Sequence, residues 1–296
     1  MTLTGEALAI LSALFYGLAG VAIARGRARA QADNGLFLSV LTTAVFAAGV
    51  WGIVGEVPRL SEAEARWGLF WFALAGLLAS VFARQALYRS TELAGAVTAS
   101  LLRRLIPVFA VPVALVLLGQ AARAEDLIGG GLVLLAVVWQ AGAPAPVDRR
   151  YLLPGVLFGV ACAALYALAY GLRALGLERL PDPAFGTAFG ALVAIVWMLG
   201  GALLRADRRA RCARLLADRG RWQVLAALSL SAGQTLQFFA LQSAPVARVA
   251  FLGVLDTVFC ALLAAVLLRG EGLCPRRLVP ALALAIAGTA LLVSPP

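Results

Sequence analysis

The chain has 296 residues, 62% of them hydrophobic, with a mean hydropathy of +0.92 and a formal net charge of +10. So much apolar surface excludes an ordinary soluble domain, and no stretch is polar enough to form a separate one. All 25 basic residues are arginines, with no lysine or histidine. In a chain of long apolar runs they read as loop residues that set membrane topology, not as a nucleic-acid footprint. The lack of histidine argues against a zinc site and against a histidine-based enzyme.

Ten apolar runs are long enough to cross about 30 Å of hydrocarbon. They fall at roughly 4–24, 35–54, 67–88, 94–118, 126–145, 151–173, 184–204, 222–242, 245–268 and 277–294. The runs are too long for barrel strands and do not alternate, so the chain reads as an all-α membrane protein. The first run has no basic flank and no small-residue cleavage site, and is expected to be a span, not a removed signal peptide. Ser61 with Glu64 forms a capping-box pattern before the third run, and Asp182-Pro183 opens the seventh. Trp67 and Trp222 stand at span ends, where an amphipathic ring suits the interface. Gly129-Gly130-Gly131, Gly155 with Gly159, and Gly186 with Gly190 predict close approach of neighbouring helices. Cys162, Cys212, Cys260 and Cys274 show no ligand spacing and read as small membrane-compatible residues.

The chain also repeats itself. Gly5, Ala13, Tyr16, Leu18 and Ala19 recur as Gly155, Ala163, Tyr166, Leu168 and Ala169. Val108-Phe109 and Leu117-Leu118 recur at the same offset as Val258-Phe259 and Leu267-Leu268. Two copies, 1–147 and 148–296, each hold five predicted spans. An odd number inverts the second copy relative to the first, so the expected fold is two inverted five-helix repeats around a central cavity. Arginine counts orient it. The loops after the odd-numbered spans hold 17 arginines, seven of them in 205–221, and the opposite loops hold 6: Arg59, Arg66, Arg123 and Arg179, with Arg173 and Arg248 counted there at the ends of spans six and nine. The positive-inside rule puts the richer side in the cytoplasm and both termini in the periplasm.

The second part of each copy carries a further pattern. It reads Ala86-Leu87-Tyr88, Pro107-Val108-Phe109, Leu117-Leu118-Gly119-Gln120 and Gly129 in the first. In the second it reads Ala240-Leu241-Gln242, Val258-Phe259, Leu267-Leu268-Arg269-Gly270-Glu271 and Gly288. This resembles the EamA-type ten-span branch of the drug/metabolite transporter superfamily over essentially the whole chain. It departs in having Gln120 where the family pattern has Glu, and Thr257 where it has Pro. The resemblance implies export of small metabolites, very often amino acids, across a bacterial inner membrane.

Ionisable groups within spans are costly and usually face a cavity. Arg103 and Asp256 lie in the bodies of spans four and nine, which are equivalents across the repeat. They could grip the carboxylate and ammonium of a zwitterion, or simply pair with each other. Arg104 is expected to point about 100° away from Arg103, and Ser100 shares the Arg103 face. Pro107 predicts a bend by freeing the Arg103 carbonyl. Tyr16 and Tyr166 are repeat equivalents, and Tyr166 and Tyr170 share one face of span six. Tyr88, Gln234 and Gln237 complete the predicted substrate-binding set, with packing as the alternative role for each. Spans five and ten lack strong polar groups and are expected to face lipid.

These readings converge on a secondary transporter working by alternating access on a small-molecule substrate within the bilayer. No cofactor, metal or nucleic acid is expected, and a monomer is the expected unit. There is no Walker motif for a pump. The alternatives are a multidrug exporter of organic cations, an intramembrane enzyme, or a structural membrane protein.

Overall fold

The computed structural model describes residues 4–27, 30–31, 34–55, 63–94, 96–140, 149–204, 207–267 and 275–293. Ser61 of the capping-box pattern, Cys274, and the loop residues Arg29, Arg59, Arg205 and Arg269 lie outside them, as does the side chain of Tyr88.

Among the described residues every regular element is helical. The first half holds α1 (Gly5–Arg27), α2 (Leu36–Val54), α3 (Ala63–Leu77), α4 (Arg84–Ala94), α5 (Ala96–Arg103), α6 (Ile106–Leu118) and α7 (Ala124–Gln140). The second holds α8 (Arg149–Arg179), α9 (Pro183–Leu203), α10 (Arg208–Leu215), α11 (Arg221–Ser243), α12 (Val246–Gly253), α13 (Asp256–Leu267) and α14 (Pro275–Val293). A π-helical turn, Leu78–Ala83, joins α3 to α4 without breaking the rod. Eight segments are long and apolar enough to cross a membrane: α1, α2, α3 with α4, α5 with α6, α8, α9, α11, and α12 with α13. The other two predicted spans correspond to the 17-residue α7 and to α14.

Local chemistry accounts for the boundaries. The Asp182 carboxylate accepts the Phe185 N–H at 2.9 Å, and Pro183, with no N–H to leave orphaned, begins α9. Gly119 ends α6 at φ 66°, a left-handed conformation that costs glycine nothing. The N–H of Gln120 then reaches back to the Ala114 carbonyl at 3.1 Å. Large apolar side chains point outward, with Ile53 85% and Val116 80% exposed. That is untenable in water but right for hydrocarbon.

Small residues set the interior packing. A side chain at Gly76 would strike the backbone of Gly190, and one at Gly288 the carbonyl of Gly129, so α3 meets α9 and α7 meets α14 almost backbone to backbone. Phe72 fills the space left by Gly176 and Gly186. Gly131 of the predicted glycine run meets nothing. α7 and α14, expected to face lipid, pair closely with each other and leave their outer faces apolar.

The contacts are reciprocal between the two halves. Gly5 packs on Ala244, and its sequence equivalent Gly155 packs on Ala94. α1 lies against α11 and α13, and α8 against α3, α4 and α6. Each half therefore lends its first helix to the other. Both broken helices break at equivalent points. Arg104 and Leu105 donate to the carbonyls of Leu101 and Leu102, and Val254 and Leu255 to those of Phe251 and Leu252. These tight i→i+3 turns end α5 and α12 outright, where the sequence pointed only to a proline bend in the first copy. The second break forms with Thr257 in place of proline, directly after Gly253, a poor helix former.

Candidate functional site

The two breaks bring helix ends together inside the bundle. Arg103 lies in the last turn of α5 and Asp256 in the first turn of α13, each at the helix end whose dipole favours its charge. Arg104 donates to Asp256 Oδ1, and the Thr257 hydroxyl donates to the same oxygen at 3.0 Å. Arg103 Nη2 stands 3.6 Å from Oδ2, beyond direct hydrogen-bond reach. The Arg103 guanidinium lies 5.7 Å over the Tyr166 ring, with 35% of its side chain accessible against 14% for Arg104.

The sequence reading turned Arg104 away from this site, assuming a continuous helix. The helix ends at Arg103, so Arg104 sits in the turn and becomes the closer partner of Asp256. Arg103 keeps its free surface.

A second cluster lies one to two turns along α8. Gln237 Nε2 donates to the Tyr170 hydroxyl at 2.6 Å, and Gln237 Oε1 accepts from Arg173 Nη1 at 2.7 Å. The Arg173 guanidinium lies 4.9 Å from the Phe238 ring and 5.7 Å from the Tyr170 ring. Tyr16 joins the two clusters. It packs at Gly233 of α11 and lies within electrostatic reach of Tyr166, Tyr170, Arg103 and Arg173.

Of the predicted site residues, Tyr16, Arg103, Tyr166, Tyr170, Gln237 and Asp256 thus come together. Ser100 is exposed on α5, and Gln234 is half-buried beside the cluster that Gln237 enters. Arg173 was assigned to a loop because span six was ended there; α8 continues to Arg179. Its signal was present in the spacing. Tyr166, Tyr170 and Arg173 fall at i, i+4 and i+7, one helical face.

Arg248, also read as a loop residue, is buried. Its Nε donates to Asp126 Oδ1 at 2.6 Å and its Nη1 to Glu6 Oε1 at 3.3 Å, tying α12 to α7 and α1. Arg248 and Asp126 border an open cavity of about 640 Å³ whose lining includes Ala174, Leu177, Leu241 and Gln242. Arg173 precedes Ala174 on α8, and Gln237 lies four residues, about one turn, before Leu241 on α11. Gln120 Oε1 accepts from Val246 N–H at 3.1 Å, capping α12 beside the cavity. At the other end of the bundle, Asp218 accepts from the backbone N–H groups of Gln31 and Asn34 at 2.7 and 2.8 Å. Gln223 donates to the Gly26 carbonyl at 3.1 Å. The α1–α2 and α10–α11 connections are clasped there.

The site thus combines broken helices, interior charges and an apolar exterior. Residues 3–140 match the EamA-like transporter family. The matched stretch covers just under half of the chain, and with the eight apolar segments it supports a multi-pass membrane transporter of small molecules over an enzyme. A crystal structure of another protein superposes on 98% of this chain and 95% of its own, with a TM-score of 0.72 at 18% identity, a likeness of fold. No curated protein matches the chain.

Proposed function

We propose that this EamA-like protein is a secondary transporter that exports small metabolites, neutral and aromatic amino acids foremost, across a bacterial inner membrane. Alternating access of two inverted repeats, 1–147 and 148–296, would carry the substrate past a site at the two helix breaks. The reciprocal contacts of Gly5 with Ala244 and Gly155 with Ala94 support the repeat reading. One observation carries the site: Asp256 Oδ1 is held by Arg104 and Thr257, while Oδ2 and the Arg103 guanidinium stand 3.6 Å apart with accessible surface. Arg103 can turn its planar fork to a carboxylate, and Oδ2 can accept from an ammonium. Tyr16 and Tyr166 offer apolar faces to a bulky side chain. Tyr88, Ser100 and Gln234 remain proposed contributors on the same route.

Flux in proteoliposomes tests the substrate. Labelled phenylalanine should be carried, and its methyl ester and N-acetyl derivative should be carried slowly, because each lacks one end of the zwitterion. Transport of lipophilic cations alone would transfer the reading to a multidrug exporter.

Orientation has its own test. With Arg173 and Arg248 withdrawn from the arginine-poor loops, the bias toward a cytoplasmic 205–221 loop grows. With Cys212 on α10 as the sole cysteine, intact cells should leave it unlabelled by a membrane-impermeant thiol reagent. Labelling from outside would reverse the topology.

A further inference from the structure

Among the described residues, Arg173 is a buried cation with no anionic partner: it is 4% exposed, and the ion pairs do not include it. Its Nη1 is occupied by Gln237, a neutral acceptor, and its Nε finds no partner. The faces of Phe238 and Tyr170 offer some stabilisation, but an aromatic face returns far less than an ion pair. A buried, uncompensated charge costs several kcal/mol, and buried polar atoms left unsatisfied are rare. Asp256 gives no relief, since its carboxylate is held by Arg104 and has Arg103 3.6 Å away.

We infer that Arg173, oriented by Gln237 and flanked by Tyr170 and Phe238, is a second binding station that takes the carboxylate of an organic acid and needs no ammonium on it. Nη1 is taken and Nε is not, so the edge of the guanidinium that carries Nε is the one presented. That edge can meet two carboxylate oxygens side by side. Among the described residues no carboxylate is paired with Arg173 to receive an ammonium, in contrast to Arg103 with Asp256. The Phe238 and Tyr170 rings suit a flat apolar body. Arg173 is adjacent in sequence to the cavity-lining Ala174, and Gln237 stands four residues before the cavity-lining Leu241; along α8 Arg173 lies between that lining and Tyr166, over which Arg103 stacks. The inference rests on the transporter reading and adds a substrate class to it: net anionic acids as well as zwitterions.

Three ligands that share a phenyl ring and differ in charge provide the test. 3-Phenylpropionate, phenylalanine and phenethylamine are titrated calorimetrically into the purified full-length chain in detergent. 3-Phenylpropionate should bind at least as tightly as phenylalanine, and phenethylamine should not bind detectably. Arg173→Gln should weaken 3-phenylpropionate by about tenfold or more, the worth of one charge-assisted contact, and Arg173→Lys should weaken it less. Removing an uncompensated charge should leave the ligand-free Tm of Arg173→Gln at or above the parent's. Unchanged 3-phenylpropionate affinity in Arg173→Gln overturns the station, and so does a lowered ligand-free Tm, which would make Arg173 a structural cation. If phenylalanine is not carried in vesicles yet 3-phenylpropionate binds through Arg173, the amino-acid reading falls and the station stands. If phenylalanine is carried and Arg173→Gln alters neither ligand's binding, the station falls and the amino-acid reading stands.

Discussion

Arg104→Leu should be among the most destabilising single changes in the bundle. Arg104 holds Asp256 Oδ1, and both side chains are largely buried, 14% and 10% exposed. Removing the cation leaves a carboxylate inside a membrane protein with Arg103 3.6 Å away as its remaining ionic neighbour. Breaking a buried pair from one side costs about 3–5 kcal/mol, because the surviving charge is stranded. Folded yield and Tm in detergent should fall sharply. Arg104→Leu combined with Asp256→Leu removes both charges and should recover most of the loss, since a buried ion pair is often no more stable than an apolar replacement of like volume. A double variant as unstable as Arg104→Leu alone would mean that Arg104 acts through something other than Asp256.

The pairing marks where the sequence was legible and where it was not. Spans follow from apolar run length, a property of composition, and the helices fall close to the predicted runs. Two fall outside the eight that are long and apolar enough to cross: α7, with 17 residues, and α14, whose apolar stretch is Val279–Val293. The breaks were half legible. Pro107 announced a disturbance, but the end of α5 at Arg103 and the matching end of α12 at Gly253 depend on how the two halves pack, which no local signal encodes. Once the helix ended one residue early, the direction of Arg104 could not follow from helical geometry.

The second cluster is legible in Tyr170 and Gln237 but not in Arg173, for a different reason. Span six was cut to the length a bilayer needs, whereas α8 has 31 residues. Arginines at apparent span ends were counted as topology markers. Arg173 and Arg248 show that such counting mixes two kinds of residue: those that sit in water and those that a long helix carries inside. The Tyr166, Tyr170, Arg173 face separates them, because a loop arginine has no reason to keep helical register with two tyrosines.

Arg103→Ala should do the opposite of Arg104→Leu: little to stability and much to transport. Arg103 is the outer member of the pair of arginines, with 35% of its side chain accessible and no direct hydrogen bond to Asp256. Losing it leaves Asp256 bound by Arg104 and Thr257, so nothing buried is stranded. What is lost is a planar donor for a carboxylate, stacked on Tyr166 and placed at a helix break. Hydrogen bonds to a charged group contribute about 1.5–3 kcal/mol, so phenylalanine flux at low substrate should fall by roughly tenfold to a hundredfold while folded yield is kept. Arg103→Lys keeps the charge but not the fork and should recover only part of the flux. The methyl ester of phenylalanine decides between binding and bracing within the single variant Arg103→Ala, which leaves the Arg104–Asp256 pair intact. If Arg103 only braces the halves, flux of the free amino acid and of the ester should fall by the same factor. If Arg103 holds the substrate carboxylate, the free amino acid should lose its lead, and the ester, which has no carboxylate to lose, should no longer lag behind it.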